Sequence, residues 1–217
     1  MIPNGVDTRL FRPDIKSDIR KKLGLEEKKI ILCTRRFVPK NGIEYVVRAL
    51  PKILEEEDVV LLLAGHGRLE GRLRDIAKEL GLEKRVVFLG TVPHESLPAY
   101  YCIADIIVQP SLAEARSLSC MEALACGSVL VSTNTGGLGE ILMDGENAIV
   151  INAFQESGYK AKEPSEEDVK TLSMAALKGI QNKKLRSKVS KGARKTAEEN
   201  SWASIADKML DIYKRVI

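Results

Sequence analysis

Residues Glu114-Ala-Arg-Ser-Leu-Ser-Cys-Met-Glu122-Ala-Leu-Ala-Cys-Gly127 carry the most information in this chain. Two carboxylates stand here with seven residues between them, where a loop turns into an apolar helix. Glu122 is set among Met121, Ala123, Leu124 and Ala125. A carboxylate on an otherwise apolar helix is costly to bury without partners, so it lies on an edge or is held there to meet a ligand. Small residues at Ser117, Ser119 and Gly127 leave room for a ligand to approach the backbone. The helix start adds free N–H groups and the positive end of a dipole, which suit a phosphate. A sugar and a diphosphate held side by side match this set.

On both sides of that stretch, short apolar runs alternate with amphipathic ones, the signature of a parallel sheet covered by helices. The pattern predicts strands over 30–34, 59–64, 86–89, 106–109, 129–132 and 148–151. It predicts helices over 42–56, 69–80, 97–103, 119–125, 139–142, 165–181, 184–200 and 203–216. Ser165, with Asp168 three residues on, supplies a capping start after Pro164. Gly65, Gly67, Gly90, Gly136 and Gly137 fall just past predicted strand ends. Ligands of open parallel sheets bind beyond those ends, so the glycines mark one rim. There is no internal repeat, and 155–164 is the one stretch that reads as a mobile loop.

Composition narrows the function. The 217 residues fit one large domain or two small ones, and 44% hydrophobic content supports a real core. The 34 basic and 30 acidic residues are interleaved, so the net charge of +4 reads as a solvated surface and not as a nucleic-acid footprint. Cys33, Cys102, Cys120 and Cys126 form no Cys-x2-Cys pair. They read as buried thiols of a reducing compartment, which with no membrane-length apolar run and no signal peptide gives a cytoplasmic expectation. No metal site and no cofactor are expected. Abundant Lys and Glu suit a heat-adapted source.

The stretch from Glu114 to Glu122 resembles the carboxylate-x7-carboxylate signature of retaining glycosyltransferases with two Rossmann domains, the GT-B architecture. Other segments follow in that family's order: Ile2-Pro-Asn-Gly-Val-Asp-Thr-Arg-Leu-Phe-Arg-Pro13, Thr34-Arg-Arg-Phe-Val-Pro-Lys-Asn-Gly42, Ala64-Gly-His-Gly67, Leu89-Gly90, Ala104-Asp105, Gln109-Pro-Ser111 and Thr135-Gly-Gly-Leu-Gly-Glu140. Trp202 matches the aromatic before its last helix. The resemblance implies an α/β fold: a Rossmann-like parallel sheet of about six strands flanked by helices, the C-terminal half of a GT-B enzyme. Residues 1–217 are then one nucleotide-sugar-binding domain. Within it, 1–13 is the interdomain segment, 165–217 is a helical tail packed on the domain, and the N-terminal acceptor domain is absent. A fragment of this kind is expected to be inactive without its other half. The implied partners are a nucleoside-diphosphate sugar and an acceptor reached through the missing domain, which is also where any peripheral membrane contact belongs.

Arg36 follows an apolar strand and Lys40 lies four residues on, so two cations at a strand end can neutralise a diphosphate. By resemblance Arg36 is the phosphate-binding arginine and acts on the leaving group, while the usual lysine position is Asn41 here, with Lys40 one residue early. Glu122 is implied to accept from ribose hydroxyls. Glu114 is implied to face the transferred sugar or an oxocarbenium-like transition state, which makes Glu114 and Arg36 the expected catalytic pair. Ser117 and Leu118 present backbone N–H groups to the diphosphate. Gly65 belongs to a glycine turn on the donor side, Val92 to a backbone contact with the base, and Gly136 and Gly137 to a close backbone approach near the sugar. Arg116 either adds a third cation or points to solvent. Two other classes remain: a nucleotide-sugar 2-epimerase of the same fold, and a non-catalytic nucleotide-sugar-binding subunit.

Overall fold

Alternation within the apolar runs sets the layering. In β1 (Lys29–Thr34), Ile31 and Cys33 point to one buried cluster while Ile30 and Leu32 point to the other. β2 (Val59–Ala64) divides in the same way, with Leu61 and Leu63 opposite Val60 and Leu62. A strand covered on both faces needs an apolar residue at every position, which is why these runs are continuous. The computed structural model describes residues 4–115, 117–152, 154 and 163–216.

Six strands form one parallel sheet: β1, β2, β3 (Val86–Gly90), β4 (Ile106–Gln109), β5 (Leu130–Thr133) and β6 (Ile149–Ile151), in the order β3-β2-β1-β4-β5-β6. The chain builds outward from β1 to β3, then returns to lay β4 against the free side of β1. That reversal opens a crevice beyond the carboxyl ends of β1 and β4, where sheets of this order take their ligands.

Eight helices are present among the described residues: α1 (Ile19–Lys22), α2 (Ile43–Leu54), α3 (Glu70–Glu79), α4 (Leu97–Ile103), α5 (Leu118–Ala125), α6 (Glu166–Gln181), α7 (Lys183–Glu199) and α8 (Trp202–Val216). α2, α3 and α6 cover one face, and α4, α5 and α7 the other. The predicted capping start of α6 is present: Ser165 Oγ accepts from the Asp168 backbone N–H, and the Asp168 carboxylate accepts from the Ser165 N–H.

Three expectations change. The helix predicted over 139–142 is a 3₁₀ turn at Gly136–Glu140, because its glycine-rich start does not propagate an α-helix. α1 was not foreseen, since four residues are too few to show a period. The tail over 165–217 is packed only in part. α6 packs on α2 and α7 on α5, whereas among the described side chains of α8 Ile205 alone is buried, with Leu210, Ile212 and Tyr213 exposed. Both faces of the sheet are already covered by α2 to α7. The stretch 155–162 within the expected mobile loop lies outside the described residues, as does Arg116.

Candidate functional site

The first residue past β1 is Arg35, and it turns inward across the crevice. Its Nη1 donates to Ser117 Oγ (2.6 Å), and its Nη2 to Ser111 Oγ (2.7 Å) and Asn41 Oδ1 (2.9 Å). Nη2 also pairs with Glu114. The guanidinium is 6% and the Glu114 carboxylate 12% exposed, so water does little to screen this pair. One fork therefore gathers the loops after β1 and β4 and the start of α5. The neighbouring strand end is shaped to it: Gly65 has φ +144°, and a Cβ there would lie 2.1 Å from the carbonyl oxygen of Arg35.

Ser117 is the N-cap of α5, its Oγ accepting from the Cys120 N–H. Among the described residues no hydrogen bond takes the N–H groups of Leu118 and Ser119, which leaves the positive end of the helix open. One turn further, Glu122 is buried, and both its oxygens are engaged. His94 Nε2 lies 2.9 Å from Oε1 and the Tyr101 hydroxyl 3.3 Å from Oε2. A carboxylate only accepts, so both neighbours donate. Burial first, and then the nearby Glu122 charge, push the Tyr101 phenol well above its usual range and keep it a donor.

The two carboxylates are joined by a chain of hydrogen bonds. Gln109 Nε2 donates to Thr34 Oγ1 (3.1 Å), and Thr34 lies 2.7 Å from the Tyr101 hydroxyl. Ser119 Oγ donates to Gln109 Oε1 (3.0 Å), and Arg35 Nη1 reaches Ser119 Oγ at 3.3 Å. Glu114 thus connects through Arg35, Ser119, Gln109, Thr34 and Tyr101 to Glu122. Arg35 Nε alone among the described buried side-chain polar atoms lacks a partner, and the bonds the network does make fix the positions of its members.

The residues expected from sequence divide into three groups. Glu114, Asn41, Ser117 and Glu122 lie inside the network. Arg36, Gly65 and Val92 line a cleft of ≈ 200 Å³ beside it, together with Arg35 and Thr91. Arg36 is exposed on the lip, and neither it nor Lys40 has an ion-pair partner among the described residues. Lys40 contributes through its backbone, whose carbonyl accepts from the Leu112 N–H at 2.8 Å. Leu118 is 49% exposed at the helix start. Gly136 and Gly137 form the turn beneath the Glu114 loop.

Sequence reasoning missed Arg35, Ser111, His94 and Tyr101. Arg35 carried one signal, its place immediately after an apolar strand, but Arg36 shares that signal. Tyr101 sits in an apolar helix face and reads as core, and nothing local ties His94 to Glu122, 28 residues away.

Strand order, switch-point crevice and capped helix start define an α/β domain of the Rossmann type with its ligand rim at β1 and β4. The family model described as "Glycosyl transferases group 1" matches residues 15–196, and the chain belongs to that family. It is 32% identical over 220 residues to an uncharacterised glycosyltransferase of Methanocaldococcus jannaschii, covering 99% of this chain and 53% of that protein. It is 32% identical over 161 residues to the GDP-mannose-dependent alpha-(1-6)-phosphatidylinositol monomannoside mannosyltransferase of Mycolicibacterium smegmatis, covering 70% and 42%. The solved sucrose-phosphate synthase of Thermosynechococcus elongatus superposes with a TM-score of 0.82 at 27% identity, covering 99% of this chain and 52% of that one. The expected likeness to the C-terminal half of a GT-B enzyme holds. The chain spans about half the length of the curated relatives it matches. No helix among the described residues is long and apolar enough to cross a membrane.

Proposed function

We propose that this chain is the donor-binding half of a retaining glycosyltransferase, which moves a sugar from a nucleoside-diphosphate sugar to an acceptor hydroxyl. The observation that carries this reading is the hydrogen-bonded chain from Glu114 to Glu122, bracketing an open helix start at the switch point. Glu122 takes the ribose, and the Leu118 and Ser119 N–H groups take the diphosphate. Arg36 and Lys40 stand on the rim to balance its charge. Arg35 is committed to Glu114 and is the positioning cation, whereas Arg36 is free to meet the phosphates and stabilise the leaving group. Glu114 keeps one oxygen, Oε1, without a partner among the described residues, and that oxygen faces the transferred sugar. The acceptor belongs to the part of the enzyme that the relatives have and this chain does not span, where contact with a membrane surface also belongs.

The test is calorimetric titration of the chain with UDP, GDP and ADP. One of the three is expected to bind, without added divalent metal. Arg36→Ala and Lys40→Ala should each weaken that binding by roughly 1.5–3 kcal/mol, the range for hydrogen bonds to charged groups. No binding by any of the three, or unchanged affinity in both variants, sinks the reading.

A further inference from the structure

Glu122 has more hydrogen-bond capacity than its protein partners use. An ionised carboxylate has about four acceptor sites, two on each oxygen. His94 takes one on Oε1 and Tyr101 one on Oε2, so one site is left on each oxygen. A pair of acceptor sites on the two oxygens of one carboxylate fits two adjacent hydroxyl donors, that is, a vicinal diol. Tyr101 is fully buried and fixed by Thr34. His94, by contrast, lies in the loop between β3 and α4 and is 60% exposed, with its ring edge against Phe11 at a centroid distance of 5.1 Å. An exposed imidazole held by a buried ring on one side and a buried carboxylate on the other is oriented, not free to turn.

We infer that His94 is a positioning residue for ligand specificity. Its N–H holds the Glu122 carboxylate at the rotation at which both remaining acceptor sites face a ribose diol, and so makes the site selective for ribonucleotides over their 2′-deoxy counterparts. The inference rests on the proposed role of Glu122 in binding ribose. With His94 in place, the carboxylate is pinned at both oxygens and a ligand lacking one hydroxyl leaves an acceptor unpaired. Without it, Oε1 is released, the carboxylate pivots about its contact with Tyr101, and one hydroxyl satisfies it nearly as well as two.

The test compares UDP with 2′-deoxy-UDP by calorimetry on the 217-residue chain, with GDP and 2′-deoxy-GDP as a second pair. Wild type should prefer the ribonucleotide by about tenfold or more. His94→Phe keeps the ring against Phe11 but removes the N–H, and should reduce the preference to about threefold or less. His94→Gln, which restores an N–H donor, should recover most of it. A loss of stability alone would weaken both nucleotides equally and leave the ratio unmoved, so the ratio separates positioning from folding. Retention of the full preference in His94→Phe, while Glu122→Ala abolishes it, overturns the role of His94 and leaves the ribose reading intact. Absence of any preference in wild type overturns both.

Discussion

The carbonyl oxygen of Glu114 occupies the space where a side chain on Gly136 would begin: a Cβ there would lie 1.9 Å from it. Gly136 has φ +53°, a conformation that costs other residues roughly 1–3 kcal/mol. The turn after β5 therefore clamps the loop that carries the first carboxylate, and only glycine allows the two backbones to meet.

Gly136→Ala should destabilise the protein and displace Glu114. The melting temperature should fall by roughly 2–4 °C for each kcal/mol lost in a chain of this size. Gly139→Ala is the control, because the nearest atom to a Cβ there is 3.6 Å away. Equal melting temperatures for the two variants in differential scanning calorimetry would rule out the clamp.

Arg35→Met should be among the most damaging single changes. It leaves the Glu114 carboxylate part-buried without its cation and strips donors from Ser111, Ser117 and Asn41. Breaking a buried pair from one side costs about 3–5 kcal/mol. The double variant Arg35→Met with Glu114→Leu should cost clearly less than the sum of the two single changes, as read in a double-mutant cycle from urea unfolding. Additive losses would show that the two residues are not coupled.

The sheet was legible because its strands are continuous apolar runs, and all six appear within one or two residues of their expected bounds. Glu114, Ser117 and Glu122 were legible because charged and small residues break an apolar helix start. Arg35 was not, since two adjacent arginines have the same local context and only the distant Ser111 and Glu114 decide which turns inward. A motif can also be structural: Asp105 accepts from the Ile30 N–H and pairs with Arg20 at the opposite end of the sheet from the crevice. The exposure of α8 could not be read from its own amphipathic pattern, because it depends on which sheet faces the other helices already occupy.

Cys102 should be the first thiol to react with iodoacetamide. Cys33, Cys120 and Cys126 are buried, and burial pushes the Cys33 thiol up to about 12. Cys102 is half-buried, its Sγ 3.3 Å from the Arg12 carbonyl oxygen, and the neighbouring Cys126 thiol is the main cause of its fall to about 7. A lowered pKa populates the thiolate at lower pH, so the alkylation rate should rise through about pH 7 and be lost below it. Cys126→Ala should move that midpoint up towards the ordinary thiol value of about 8.5. Peptide mass spectrometry across pH 6–9 reads both; a wild-type midpoint already near 8.5 contradicts the influence of Cys126 on Cys102.

Tyr101→Phe tests whether the chain between the two carboxylates acts as a unit. The phenol is buried, lies 2.7 Å from Thr34 Oγ1 and donates towards Glu122 and the Ser119 carbonyl. Phenylalanine preserves the ring packing against Phe11, at a centroid distance of 6.0 Å, and removes only the hydroxyl. Thr34 then has no acceptor for its proton, and Glu122 has lost one of its two donors. A buried group left unsatisfied costs about 1–3 kcal/mol, so the urea midpoint should fall with the slope unchanged. If the network is continuous, nucleoside-diphosphate affinity should fall as well, although Tyr101 itself is buried. A lower midpoint with unaltered affinity would confine Tyr101 to the core and break the link between Glu122 and the β1 end.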